Sequence, residues 1–305
     1  MRIGLLLGGL RNARELGALA AEAEALGFDS LWAGDHVAFP APILDPLALL
    51  ACYAAHTQRV RLGTCVYLLP LRHPTVVAKM VSSLDYIADG RVIFGIGVGG
   101  EFPGEFQACG VPVRQRGARA DEAMAVLRQL WRGDESARSG GFFPMEPVRL
   151  APLPVQAGGP PIWVGGRSEA ALRRTARYGD GYVGYLLDAE GFRTRMARIR
   201  ELTDAGGTAP RRITAALMTF ALIDRQSDVA LKHAGTVLGA MYGRPMETAA
   251  RRYCIIGSPE DCRGAVERLA AAGVEHLILT PLAYGDQTRE QIQQLAEILP
   301  ARRKG

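Results

Sequence analysis

Across its 305 residues the chain has no long apolar run, no low-complexity tract and no Ser/Gly-rich spacer. A membrane helix needs about 18 consecutive apolar residues, so no membrane-spanning helix is expected. Without a spacer, nothing marks a boundary between two domains, and residues 1–305 read as one domain. Cysteine is scarce. Cys52, Cys65, Cys109, Cys254 and Cys262 form no Cys-x-x-Cys pair, and an odd number of thiols without zinc-ligand spacing argues against both a disulfide framework and a structural metal site. The longest charge block, Arg302-Arg303-Lys304, reads as a solvated, frayed end. The apolar residues 1–7 run into Arg11, Arg14 and Glu15 without a cleavage site, so they read as a strand rather than a signal peptide, and a cytoplasmic protein is expected.

The charge balance is mild: 36 basic against 31 acidic residues give a formal charge of +5. The basic residues are scattered and not interleaved with aromatics, which argues against nucleic-acid binding and favours an anionic small-molecule cofactor or substrate.

What the chain does have is alternation, within a composition that is 48% hydrophobic. Apolar strands are predicted at 2–8, 28–33, 60–67, 92–96, 162–164, 181–185, 213–223 and 276–280. Between them, apolar positions at helical spacing predict helices at 13–26, 46–55, 76–87, 117–131, 169–178, 192–205, 228–241 and 259–272. Eight strand-then-helix units point to a closed (β/α)8 TIM barrel, because nothing interrupts the alternation. Residues 134–160, with Gly140-Gly141 and several prolines, are expected to form a hairpin insertion over one mouth of the barrel.

The most informative residues close the second strand. Asp35 and His36 are costly to desolvate at the end of an apolar run, so they are expected to face a site. Gly95-Ile96-Gly97-Val98-Gly99-Gly100 satisfies a dinucleotide-binding pattern, but Pro103 and Gly104 are expected to interrupt the helix such a site needs. The same glycines would instead let backbone approach a flat ring. Gly165-Gly166-Arg167-Ser168 ends the fifth strand and reads either as a phosphate cradle or as a tight turn with an ordinary N-cap at Ser168. Tyr67, Leu68, Leu69, Phe102 and Phe106 suggest an apolar mouth or a dimer surface. His56, His233 and His276 are expected at the surface or as caps, and His73, before Pro74, in a structural turn. Lys79 and Arg72 share that region and are expected to meet an acidic group or form salt bridges, while Trp163 is expected in the core.

The segments 27–36, 61–66, 71–74, 90–100, 161–170 and 178–181 together resemble the bacterial-luciferase-like monooxygenase family, and within it the branch of oxidoreductases that use the deazaflavin coenzyme F420. The resemblance covers nearly the whole chain, in order. It implies a cofactor held at the C-terminal mouth by Asp35, Thr64, Cys65, Val66, Gly97, Val98 and Gly99, with its phosphate near Gly165, Gly166, Arg167 and Ser168. It further implies a cis peptide between Cys65 and Val66, with Cys65 a buried, inert thiol. His36 would be the proton partner to hydride transfer, Asp35 its organiser, and Glu101 a second acid/base group, with Glu105 as the fallback. The substrate implied is a small organic molecule, without the phosphate site of sugar-phosphate dehydrogenases, since residues 186–253 offer no counterpart. Two other readings stand beside this one: a reduced-FMN monooxygenase and a non-catalytic flavin-binding scaffold. Relatives in the family are often homodimers.

Overall fold

The computed structural model describes residues 1–39, 42–206, 211–283, 285 and 287–300, so the Arg302-Arg303-Lys304 tail lies outside the described residues. Eight parallel strands form the barrel: β1 (Arg2–Leu6), β2 (Ser30–Ala33), β3 (Arg61–Thr64), β4 (Val92–Gly97), β5 (Ile162–Gly165), β6 (Gly181–Tyr185), β7 (Thr214–Ile223) and β8 (His276–Pro281). Closure occurs at β8, where His276 aligns with Arg2 on one side and with Ala216 on the other. Two short strands are added to the ring: Tyr67–Leu68 against β4, and Ile255–Gly257 against β7. The closed eight-stranded barrel expected from the alternation is therefore present.

Helices α1 (Ala13–Leu26), α2 (Pro46–His56), α3 (Pro74–Ile87), α4 (Pro103–Ala108), α5 (Arg116–Trp131), α6 (Glu169–Tyr178), α7 (Ala189–Ala205), α8 (Ser227–Tyr242), α9 (Glu247–Tyr253), α10 (Pro259–Ala271) and α11 (Gln287–Ala296), with short 3-10 turns at Leu69–Leu71 and Val113–Gln115, complete the described elements. Side-chain caps start several of them. Asp45 accepts from the Leu47 and Ala48 amides, and Ser258 and Asp261 form a reciprocal capping box. Pro103, expected to break a helix, instead opens α4 at its first turn, where no intrahelical donor is lost. Among the described residues no helix is long and apolar enough to cross a membrane.

The barrel interior is packed with side chains, not open. Trp32, Ile93, Trp163, Val183, Ala216 and Ile278 fill it, with Trp163 in the core as expected. His276 corrects an expectation. It is buried in this interior, its Nε2 sits 2.7 Å from Ser30 Oγ, and its ring lies edge-on to Trp32 and Trp163. The reason is strand parity: His276 shares a face with Ile278, so the first residue of β8 points inward. Burial, reinforced by the charges of Arg2 and Arg61, lowers its pKa to about 3, so the ring is neutral.

The 134–160 segment has the rudiment of a hairpin, a single antiparallel bridge between Arg138 and Met145. It lies along the outside of the barrel rather than over the mouth. Its amides at Phe142 and Phe143 donate to Glu122 on α5, Lys79 on α3 donates to Ala151 O, and the Gln156 amide donates to Asp85 on α3. The carboxylates on these two helices hold it there.

Candidate active site

The C-terminal ends of the strands converge on one face, and the polar residues there sort into two separate pairs. Asp35 is buried and accepts three hydrogen bonds: from the Leu68 amide at 2.8 Å, from Arg72 Nη1 at 2.6 Å and from Arg72 Nη2 at 2.9 Å. The Arg72 guanidinium also lies 4.3 Å from the Tyr67 ring centre and 3.5 Å from Asp45. Burial works against the charge on Arg72, and the bonds and charge of Asp35 outweigh it, so the Arg72 pKa is raised. Asp35 is therefore not the organiser of His36. Its fork with Arg72 fixes the chain that follows β3.

His36 is organised by Glu105. The imidazole Nδ1 stands 3.2 Å from Glu105 Oε1, and Glu105 Oε2 accepts from the Val37 amide at 3.1 Å. Glu105 is 1% exposed and His36 25%, so the carboxylate is sealed beneath a ring that still reaches solvent. With Nδ1 committed as a donor to Glu105, Nε2 is the free nitrogen. The ring stacks on Phe39 at 4.2 Å and meets Phe102 edge-on at 5.2 Å. Phe39 was not among the predicted residues. Its position three residues after His36 is the only sequence signal for it. Glu101 is exposed, and among the described residues no hydrogen bond or ion pair joins it to His36. It instead lies near Tyr242 of α8, whose pKa is raised by burial first and by Glu101 second.

The third strand ends as expected, in a cis peptide between Cys65 and Val66. Thr64 Oγ1 donates to Gly95 O at 2.7 Å. Burial pushes the Cys65 thiol up to about 12, so it stays protonated. The glycines around Val66 have a specific purpose. A Cβ at Gly97 would lie 2.5 Å from Val66 Cγ2, and one at Gly165 would lie 2.7 Å from Val66 Cγ1. Both positions clear space for the Val66 side chain. Gly99, at φ +61°, faces Leu68 and Phe106, and Val98 beside it is half-buried.

At the end of β5, Gly166 adopts φ +136°, Ser168 caps α6 by accepting from the Ala171 amide at 3.2 Å, and Arg167 is exposed, 5.8 Å from the Tyr185 ring. The cap is thus present. The amides of Gly166 and Arg167 nonetheless donate to no group among the described residues, which leaves them free for an anionic oxygen at a helix N-terminus.

The apolar residues of the mouth differ from those expected. Tyr67, Leu68 and Leu69, in the segment after Val66, and Phe106, on α4, are buried beneath the site, Leu68 and Phe106 in one cluster with Leu71 and Val111. The half-buried Leu6, Val66 and Met218 form the mouth's floor, with Phe39 and Phe102 at its rim. Thr280 is the polar exception: its buried Oγ1 has no partner among the described residues. His73 caps α3 by accepting from the Thr75 amide, and His56 and His233 are exposed on helices, each as expected.

Residues 2–299 match the luciferase-like monooxygenase family. The chain belongs to this family. An F420-dependent glucose-6-phosphate dehydrogenase of Kineococcus radiotolerans is 28% identical over 94% of this chain and 92% of its own length. An F420-dependent secondary alcohol dehydrogenase, solved with an F420–acetone adduct, shares the fold at a TM-score of 0.86 and 22% identity over 99% of each chain. A monooxygenase of Streptomyces bottropensis superposes at 0.84 with 25% identity over 98% of each chain. The protein is an enzyme of this oxidoreductase and monooxygenase family.

Proposed function

We propose that this enzyme transfers a hydride between coenzyme F420 and a small, largely apolar organic substrate at a carbon bearing oxygen. The observation that carries the reading is the His36–Glu105 pair at the mouth. When bound, a 5-deazaflavin supplies two-electron hydride chemistry at C5, a carbon that replaces the nitrogen through which reduced flavins meet oxygen. Such chemistry leaves one proton to be managed on the substrate. His36 Nε2 takes or gives that proton, while Glu105 fixes the ring's orientation and balances the charge of the imidazolium.

The residues present fit the cofactor. Gly166 and Arg167 offer two unpartnered amides beside an exposed guanidinium for its phosphate. The Thr280 hydroxyl, buried without a partner, is a polar atom that a ring heteroatom would satisfy. Val66, with Gly97 and Gly165 cleared around it, would back the ring, with Thr64, Cys65, Val98 and Gly99 as the surrounding frame and Asp35 holding that frame through Arg72 and Leu68. Leu6, Met218, Phe39 and Phe102 favour an apolar substrate over a phosphorylated one. The full-length similarity to an F420-dependent dehydrogenase supports the deazaflavin over FMN.

The test is turnover. Purified enzyme is incubated with oxidised F420 and a panel of small secondary alcohols, and with reduced F420 and the matching ketones, following the deazaflavin absorbance. The reading expects loss or recovery of absorbance with at least one apolar pair, abolished by His36→Ala with cofactor affinity retained. Oxygen-dependent product formed only with reduced FMN would replace it with the monooxygenase reading.

A further inference from the structure

The opposite face of the barrel carries a second concavity that the proposed chemistry does not use. It is a cavity of about 400 Å³ between the C-terminal ends of α5 and α6, the start of the 134–160 insertion and the approach to β7. Five arginines line it: Arg128, Arg132, Arg138, Arg177 and Arg211. Among the described residues one carboxylate, Asp134, shares the lining, and Asp180 behind it pairs with Arg128. An excess of three positive charges therefore sits in one cleft of a chain whose whole formal charge is +5.

The interactions of these arginines show which are already spoken for. Arg128 is held by Asp180, and Arg211 Nη2 donates to the carbonyls of Thr175 at 3.4 Å and Ala176 at 3.0 Å, capping the end of α6. Arg138 Nη1 donates to Gln129 Oε1 at 3.1 Å, a neutral partner. Arg177 lies over the Tyr178 ring, 4.9 Å from its centre, and keeps its donors. Among the described residues no ion pair reaches Arg132, Arg138, Arg177 or Arg211 on this face. Like charges gathered in one concavity repel one another, and an anion there relieves the repulsion while meeting several guanidinium forks. Ala125 and Tyr178 supply apolar surface beside the charges. The volume is at the small end of organic-ligand sites and well above that of one phosphate ion.

We infer that this cleft binds a multiply charged phosphate compound, its phosphates on Arg132, Arg138 and Arg177 and any organic part against Ala125 and Tyr178. The probes are ATP and inorganic pyrophosphate, with adenosine as the uncharged control, titrated into the full chain by calorimetry at low salt. The variant is Arg132→Glu with Arg177→Glu, both exposed and on the face away from the His36–Glu105 pair. Circular dichroism and the binding of F420 or FMN report that it is folded.

Saturable binding of ATP or pyrophosphate is expected in the unmodified chain, weakening with added salt, absent for adenosine, and at least about tenfold weaker in the double variant. ATP binding tighter than pyrophosphate assigns the apolar wall to the organic group. Equal affinities assign all of the recognition to the phosphates. No saturable binding of either compound, affinity unchanged by the double substitution, or a single-stranded oligonucleotide binding more tightly than ATP would overturn the inference.

Discussion

Replacing Arg72 by Met should destabilise the protein more than replacing its partner Asp35 by Asn, and the difference follows from where each stranded group would be left. In Arg72→Met, the Asp35 carboxylate stays fully buried and keeps one of its three hydrogen bonds, the Leu68 amide. Stranding a buried charge costs about 3–5 kcal/mol, and the single remaining bond offsets part of it, giving about 3–4 kcal/mol. In Asp35→Asn, the amide oxygen still accepts a hydrogen bond. The stranded guanidinium retains 21% exposure, with Asp45 at 3.5 Å and the Tyr67 ring at 4.3 Å. That leaves a cost of about 1–2 kcal/mol. For a chain of this size each kcal/mol moves Tm by about 2–3 °C, so Arg72→Met should lower Tm by about 6–12 °C and Asp35→Asn by about 2–6 °C. The double variant strands no buried charge and should be more stable than Arg72→Met alone. Calorimetric melting of the four proteins tests this. A larger loss for Asp35→Asn, or a double variant whose cost is the sum of the singles, would refute the buried-fork account.

Three further outcomes are expected. Glu105→Gln should lower kcat by about a hundredfold while leaving cofactor affinity within about twofold, because it removes the charge behind His36 without reaching the mouth; steady-state kinetics with a cofactor titration reads both. Gly97→Ala places a Cβ 2.5 Å from Val66 Cγ2 and should cost about 1–3 kcal/mol and weaken cofactor binding, with partial rescue by Val66→Ala, whereas Gly8→Ala, with nothing within 4 Å, should stay within about 0.5 kcal/mol. His276 is neutral when folded, its pKa lowered to about 3 from 6.5. Between those pH values the unfolded chain binds a proton that the folded one refuses, so stability present above pH 6.5 is lost as pH falls toward 3, by at most about 1.4 kcal/mol per unit. Denaturant unfolding across that range should show a shallower pH dependence in His276→Gln, and an unchanged slope would sink the assignment.

The barrel was legible because parallel strands covered on both faces read as apolar runs, and because capped helices follow them directly. The break at Cys65 and Val66 hid the end of β3, and α9, only seven residues long and rich in charge, left no usable period. The position of the insertion depends on Lys79, Asp85 and Glu122, contacts far apart in sequence that no local pattern reveals. At the site, Asp35 and His36 were legible as a polar pair but not as partners. Neighbouring residues leaving a strand point in opposite directions, so one side chain goes to Arg72 and the other to Glu105. Gly97 reads in sequence as clearance for a ring and Gly165 as part of a phosphate cradle or turn, whereas the neighbour both clear is Val66. His276 was misplaced because a residue at a strand boundary carries no parity signal of its own.

The central claim is a mouth built for a deazaflavin, with His36 held ready by Glu105. Parallel titrations of the purified protein with F420 and FMN, each oxidised and reduced and followed by fluorescence, test it most directly. Saturable F420 binding at least about tenfold tighter than FMN is expected. Tight FMN binding with no binding of F420 would contradict it.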